Sequence, residues 1–161
     1  MKKILAMLLA LVLVLSLAAC ASTQPAAEPA ASSDAPAESG KTYTVGVCQL
    51  VQHEALDAAT QGFVDALKEA LGDAVTIDVQ NASGDSVNCG TIVNGFVSKG
   101  VDLIMANATP ALTAAVSATA DIPILGTSIT AYGVALDIDD FSGTVGGNVS
   151  GTSDLAALQK P

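Results

Sequence analysis

Small polar residues and carboxylates follow each of five short, largely β-branched runs in this chain. They are Gln49, residues 81–85, Ala108 and Thr109, Thr127 and Ser128, and the triplet Thr152, Ser153 and Asp154. Amide, hydroxyl and carboxylate groups of this kind hold small polar molecules in protein sites. The same residue types also cap helices and fill turns in any fold, so capping is the better interpretation of any single one.

Catalytic chemistry has little support in the sequence. The one histidine is His53, and no Gly-x-Ser-x-Gly elbow follows a strand, so a nucleophile would lack its base. Residues 143–147 are glycine-rich but lack the Gly-Lys-Ser/Thr ending of a phosphate loop. The acids are scattered without metal-ligand spacing. We therefore expect no enzyme, no cofactor and no metal.

The elements that must position the polar residues alternate between strand-like and helical patterns, which predicts an α/β fold with a doubly wound parallel sheet. The predicted strands are residues 43–48, 75–79, 102–106, 122–125 and 148–151. The predicted helices are residues 54–71, residues 86–99 and a third that begins at Pro110. The carboxyl ends of parallel strands share one edge, where ligands of open α/β folds bind. The loop assigned to residues 126–129 belongs to that edge.

The first predicted helix has a clear apolar face. Leu56, Ala59, Phe63, Leu67 and Ala70 recur at three- and four-residue spacing and are expected to face the core. Gly72 follows as its C-terminal cap.

The N-terminal segment is typical of an export signal. Lys2 and Lys3 precede an apolar run, and residues 17–20 read Leu-Ala-Ala-Cys, like a bacterial lipobox in which Cys20 is acylated. We expect residues 1–19 to be a lipoprotein signal peptide. The alternative is a plain secretory signal in which the position of Cys20 is a coincidence. Cys20 begins an Ala/Ser/Pro-rich stretch through residue 40 that lacks large apolar side chains and is expected to be a disordered tether. The folded part is then residues 41–161.

The charge and size of the chain exclude further classes of protein. The chain has 161 residues, enough for one domain of ordinary size, and 6 lysines and arginines against 16 acids. Residues 20–161 keep four lysines and all 16 acids, a net charge of −12. A chain this acidic lacks the basic surface that nucleic acid requires.

Several strings resemble the solute-binding lipoproteins of ABC importers, most closely the branch associated with tryptophan and other aromatic amino acids. They are residues 45–47, 53–57, 80–82, 84–85, 108–111 and 146–154. The resemblance implies a type I periplasmic-binding-protein fold with two Rossmann-like lobes that close on a small solute. The family's chain continues into a second lobe, whereas this one stops at Pro161, so residues 41–161 correspond to the N-terminal lobe and about half the site.

The resemblance also assigns roles to the polar residues. The Ala108-Thr109-Pro110 turn would bind a ligand carboxylate through backbone amides and a hydroxyl. Asp154 would bind the ligand ammonium, with Thr152 and Ser153 positioning it. The remaining wall residues would be Gln49 and His53 in the first loop, Asn81 and Asp85 in the second, and Thr127 in the fourth.

Alternatives stay open for individual residues. His53 is equally a helix-start residue, and Asp85 is equally a helix cap. Ala131 and Tyr132 replace an Asp-Pro pair that relatives usually carry, so Tyr132 either stacks on an aromatic solute or fills a surface gap. Cys48 and Cys89 either form a disulfide or remain free thiols.

The function implied is an extracytoplasmic, lipid-anchored receptor that passes a small solute, an amino acid, to an ABC permease and its ATPase. Its expected partners are that solute, the permease complex and the membrane through the anchor, without nucleic acid. The alternatives are a sensory ligand-binding lipoprotein of the same fold and a secreted hydrolase with a base supplied by missing sequence.

Overall fold

The computed structural model describes residues 40–154. The predicted signal peptide, Cys20 and the tether up to residue 39 lie outside the described residues, as do residues 155–161.

Five parallel strands form one sheet in the order β2-β1-β3-β4-β5. The strands are β1 (Tyr43–Gln49), β2 (Val75–Asn81), β3 (Leu103–Asn107), β4 (Ile124–Ile129) and β5 (Val149–Ser153). The helices are α1 (Glu54–Leu71), α2 (Ser86–Lys99), α3 (Thr109–Ala118) and the short α4 (Tyr132–Ala135), with a 3₁₀ turn at Gly72–Ala74. This is the predicted α/β architecture.

Helices cover both faces of the sheet because successive strand residues point to opposite sides. Val45, Val47 and Met105 pack with Phe63 and Leu67 of α1 on one face. The larger cluster occupies the other face and joins the strands to α2, α3 and α4; its members include Cys48, Phe96, Ile104, Leu112 and Tyr132. The sheet is therefore buried between two layers of helices.

The structure corrects the predicted fourth strand and the predicted buried face of α1. Residues 126–129 are the second half of β4 rather than a loop, and the strand starts at Ile124 rather than at residue 122. Pro123, which has no N–H to donate, precedes the strand and accepts a hydrogen bond from Ile104 N at 2.9 Å. Ala70 is exposed instead of buried, because the buried stripe of α1 runs through Thr60 and Val64.

A single glycine sets the spacing between the sheet and α2. Phe96 is fully buried and lies directly over Gly46 of β1. A β-carbon at Gly46 would lie 2.5 Å from two ring carbons of Phe96, closer than side chains pack. Residue 46 must therefore stay without a side chain for the ring to remain in place.

Replacing Gly46 with alanine tests this contact. We expect Gly46→Ala to lower the free energy of unfolding by about 1–3 kcal/mol, because the added methyl overpacks the core. Chemical denaturation of both proteins measures the difference. Gly95→Ala is the matched control, since Gly95 lies in α2 with nothing within 4 Å of its β-position; there alanine should stabilise by about 0.5–1 kcal/mol. Equal stability of Gly46→Ala and the parent would contradict the packing argument.

Candidate functional site

A row of four polar side chains crosses the sheet at the carboxyl ends of its strands. Gln49 of β1 is in register with Asn81 of β2 and with Asn107 of β3, and Asn107 is in register with Thr127 of β4. Three of the four were predicted as site residues. Asn107 was missed, although its position immediately before Ala108 was the available signal.

The centre of this row is tied to α1 by a buried hydrogen-bond network. Thr60 Oγ1 donates to Gln49 Oε1 at 2.6 Å, and Asn107 Nδ2 donates to Thr60 Oγ1 at 2.9 Å. Asn107 Nδ2 also donates to Leu56 O at 2.8 Å, and Gln49 Nε2 donates to Asp57 Oδ1 at 2.6 Å. Gln49 and Asn107 are 4% and 0% exposed, so these bonds replace water that the side chains have lost. Gln49 acts first as a structural residue here.

Asn107 retains one unsatisfied atom. Its Oδ1 is buried and has no hydrogen-bond partner among residues 40–154. A buried acceptor without a donor is costly, and such atoms are found near sites that hold a water or a ligand.

The Ala108-Thr109-Pro110 turn presents the start of α3 at the same edge. Ala108 has φ +90° and ψ 157°, a conformation that glycine normally occupies and that costs about 1–3 kcal/mol in other residues. No side chain caps α3. Ala108 N donates to Thr127 O at 3.0 Å, which fixes the turn against β4. The N–H groups of the first turn of α3 therefore form a positive end suited to an anion.

Three of the predicted wall residues make local contacts that shape the loops. His53 Nδ1 accepts from Ala55 N at 3.3 Å and caps α1, and Asp85 Oδ1 accepts from Val87 N at 2.8 Å and caps α2. Asn81 Oδ1 accepts from Ser83 N at 2.8 Å in an Asx turn. All three side chains stay exposed at the edge of the sheet.

Thr152 and Ser153 end β5, Asp154 follows the strand, and all three residues are exposed. Asp154 N donates to Ile129 O at 3.0 Å, and Ser153 Oγ donates to Thr130 O at 3.0 Å. These bonds hold the segment against the end of β4. The carboxylate of Asp154 is left at the solvent-facing edge.

Tyr132 fills a gap inside the lobe rather than standing at its surface. The side chain is 6% exposed, and its hydroxyl donates to Gly126 O at 2.9 Å. Gly126 and Gly151 face each other across β4 and β5, and a β-carbon on either would collide with the Tyr132 hydroxyl. Burial raises the pKa of the Tyr132 phenol. Of the two roles expected for Tyr132, the structure shows gap filling.

The predicted residues do not share one cavity. Gln49 and Asn81 line a pocket of about 310 Å³ beside α1. Thr109 and Pro110 line a groove of about 450 Å³ between α2 and α3. Ser153 lines a third cavity, of about 340 Å³, beside α4. The described lobe therefore brings Gln49 and Asn81 together and leaves the other residues along an open edge.

Cys48 and Cys89 are buried free thiols. Burial, reinforced by the neighbouring Cys89, raises the pKa of the Cys48 thiol to about 12, and burial also raises the pKa of Cys89. Both thiols stay protonated at neutral pH and are poor nucleophiles.

Within residues 40–154, no helix has the length and apolar character needed to cross a membrane. In the same range, no three His, Cys, Asp or Glu side chains lie close enough together to hold a metal ion.

Comparison with known proteins gives a consistent result. Residues 44–161 match the family described as ABC transporter substrate binding protein. A tyrosine-binding protein of Clostridioides difficile strain R20291 is 39% identical over 136 residues, which are 81% of this chain and 38% of the relative.

Two solved structures extend the match. The ligand-free, open structure of a substrate-binding protein with adhesive properties from Clostridium difficile has a TM-score of 0.66, with 42% identity over 73% of this chain and 40% of that one. An ABC domain from Streptococcus pneumoniae in complex with L-Trp has a TM-score of 0.64, with 36% identity over 70% of this chain and 39% of that one. The chain thus spans 38–40% of the length of these relatives. Its sheet matches one lobe of a periplasmic-binding-protein fold, which confirms the predicted fold.

Removing the hydroxyl of Tyr132 tests its role in joining β4, β5 and α4. We expect Tyr132→Phe to destabilise the protein by about 1 kcal/mol, because one buried hydrogen bond is lost while the ring still packs. Tyr43→Phe is the matched control, since the Tyr43 ring is partly exposed and should change stability by less than about 0.5 kcal/mol. Denaturant titration of the two variants and the parent gives the comparison. Equal effects at both positions would count against a buried hydrogen bond at Tyr132.

Proposed function

This chain belongs to the ABC transporter substrate-binding protein family, and from that premise we propose that it is part of an extracytoplasmic lipoprotein that captures an amino acid with an aromatic side chain. The captured solute passes to an ABC permease and its ATPase. Membership of a substrate-binding family confirms the expectation that the chain is not an enzyme.

The start of α3 is the observation that carries the proposal. Ala108 is held in a strained conformation, and α3 begins without a side-chain cap, so its first N–H groups are free to bind a carboxylate. Thr109 adds a hydroxyl at the first helical position. An amino acid needs such an anion site because the described lobe has no arginine to pair with its carboxylate.

The other half of an amino acid is its ammonium group. Asp154 supplies a carboxylate at the end of β5. Because β4 lies between β3 and β5 in the sheet, Thr127 of β4 lies between Asp154 and the start of α3 along this edge. Opposite charges along the same edge of the sheet suit a zwitterion. The aromatic preference is supported by the relatives, one named as a tyrosine-binding protein and one solved with L-Trp.

The anchor is a separate part of the proposal. Cys20 follows a signal-like segment in a lipobox-like string, and the Ala/Ser/Pro-rich stretch after it gives the lobe room to move above the membrane. Acylation at Cys20 would keep the receptor beside its permease.

Ligand fluorescence provides a direct binding test. The chain contains no tryptophan, so emission excited at the long-wavelength edge of tryptophan absorption, where its two tyrosines do not absorb, comes from added L-Trp alone. We expect the anisotropy of L-Trp to rise saturably with protein concentration, with weak affinity because one lobe leaves the ligand partly in water. Asp154→Asn should weaken binding about tenfold, since it removes a charge-assisted hydrogen bond.

Asp121→Asn is the matched control for this experiment. Asp121 is exposed and precedes β4 at the opposite edge of the sheet, so the same charge change there should leave binding unaltered. Binding that is unaffected by Asp154→Asn, or equally weakened by Asp121→Asn, would contradict the assigned ammonium site.

Membrane fractionation tests the anchor. Expressed in a bacterium that acylates lipoproteins, the parent should sediment with membranes and carry extra lipid mass on the peptide that begins at Cys20. Cys20→Ser should abolish that mass, because the acylated thiol is gone. Cys48→Ser, which alters a buried thiol of the lobe, should leave the lipid in place. An unmodified Cys20 in the parent would refute the anchor.

A further inference from the structure

One pocket of the lobe lies at the ends of β1 and β2, away from the ends of β3, β4 and β5 that the proposed carboxylate and ammonium contacts use. It is the pocket of about 310 Å³ between α1 and the edge strand β2, and we call it the α1–β2 pocket. It is lined by Gln49, Gln52, Asp57, Thr60, Gln61, Val79 and Asn81. The proposed carboxylate and ammonium contacts lie at the ends of β3 and β5 instead, whereas Gln49 and Asn81, which the family resemblance assigned to the ligand wall, line this pocket.

Asp57 is the single charged group in the lining, and buried hydrogen bonds hold its side chain in place. Its Oδ1 accepts from Gln49 Nε2 at 2.6 Å, and Gln49 is itself fixed by Thr60 Oγ1 at 2.6 Å. Gln49 and Thr60 are 4% and 8% exposed, so the support is part of the core. Asp57 Oδ2 has no hydrogen-bond partner in the described part of the chain and remains available as an acceptor.

The surrounding amides add further acceptors. Gln61 donates through Nε2 to Asp65 Oδ1 at 2.7 Å, which leaves Gln61 Oε1 unused. Gln52 makes no side-chain hydrogen bond to the described residues, so its carbonyl oxygen is also available. A group with several N–H donors would therefore meet Asp57 and two amide oxygens in one place.

Charge favours a cation with a single positive charge. The one salt bridge within residues 40–154 joins Lys99 to Asp78 at 2.7 Å, so no lysine of that range neutralises Asp57. One carboxylate is too little charge for a Ca²⁺ site, which gathers several oxygen ligands with more than one carboxylate. The net charge of −12 over residues 20–161 also draws small cations to the surface.

The pocket has an apolar wall beside this charged end. Val79 of β2 is 47% exposed, an unusual position for a large aliphatic side chain, and it lines the same pocket. We propose that the α1–β2 pocket is a second binding site, distinct from the amino-acid site, for a small aliphatic ammonium ion. The ammonium group donates to Asp57 and the amide oxygens, and the alkyl chain rests on Val79.

Side-chain amide NMR of the full chain tests this site with n-butylammonium chloride at constant ionic strength. We expect saturable shifts of the Gln52, Gln61 and Asn81 amide signals. Asp57→Asn keeps the acceptor for Gln49 but removes the charge, so it should weaken binding about tenfold or more. Glu69→Gln makes the same charge change on α1 outside the pocket and should leave binding unaltered.

Two further arms separate this site from other sources of cation binding. Asp154→Asn should leave butylammonium binding unaltered, so a loss there instead of at Asp57 would place the ion in the amino-acid site and overturn the proposal. Tetramethylammonium chloride, which has no N–H donors, should bind much more weakly. Equal binding of the two salts, equal weakening by Glu69→Gln, or shifts outside the pocket would each overturn it. The shift pattern of the parent decides the matter even if Asp57→Asn fails to fold.

Discussion

The hydrogen bonds between Gln49, Thr60 and Asn107 are the constraint on which the functional edge depends. They join the adjacent strands β1 and β3 to the second turn of α1. Because the three side chains are buried, breaking one bond would leave polar atoms without water to replace it. The loops after β1 and β3 both start from residues of this network, so their positions follow from it.

Most of the fold was predictable because the lobe obeys simple patterns. Glycines end α1 and α2 as predicted, and Asp85 caps α2, which is one of the two roles that the sequence left open. The exception was the second half of β4, where Gly126, Thr127 and Ser128 look like a loop. They form a strand because Tyr132 packs over a glycine and β3 pairs through Thr127, and such tertiary contacts leave no local signal.

The candidate site was less predictable than the fold. Residue type and position near a strand end placed Gln49 and Asn81 at the edge of the sheet, where they line one pocket, but the same rule gave no role to Asp57 or Thr60 on the helix. Their importance arises from a contact between α1 and two strands distant in sequence. The strain at Ala108 could not be predicted either, because alanine, unlike glycine, does not indicate a positive φ in a sequence.

The arrangement of Tyr132 over Gly126 and Gly151 also has an evolutionary consequence. Three positions on separate elements share one small volume, and a side chain on either glycine would displace the tyrosine hydroxyl. Losing the tyrosine would open space that a side chain at position 126 could fill, but a β-carbon at position 151 would still collide with the backbone of Gly126. Gaining a side chain at either glycine first would displace Tyr132 of α4. While Tyr132 is present, both positions are therefore held to glycine.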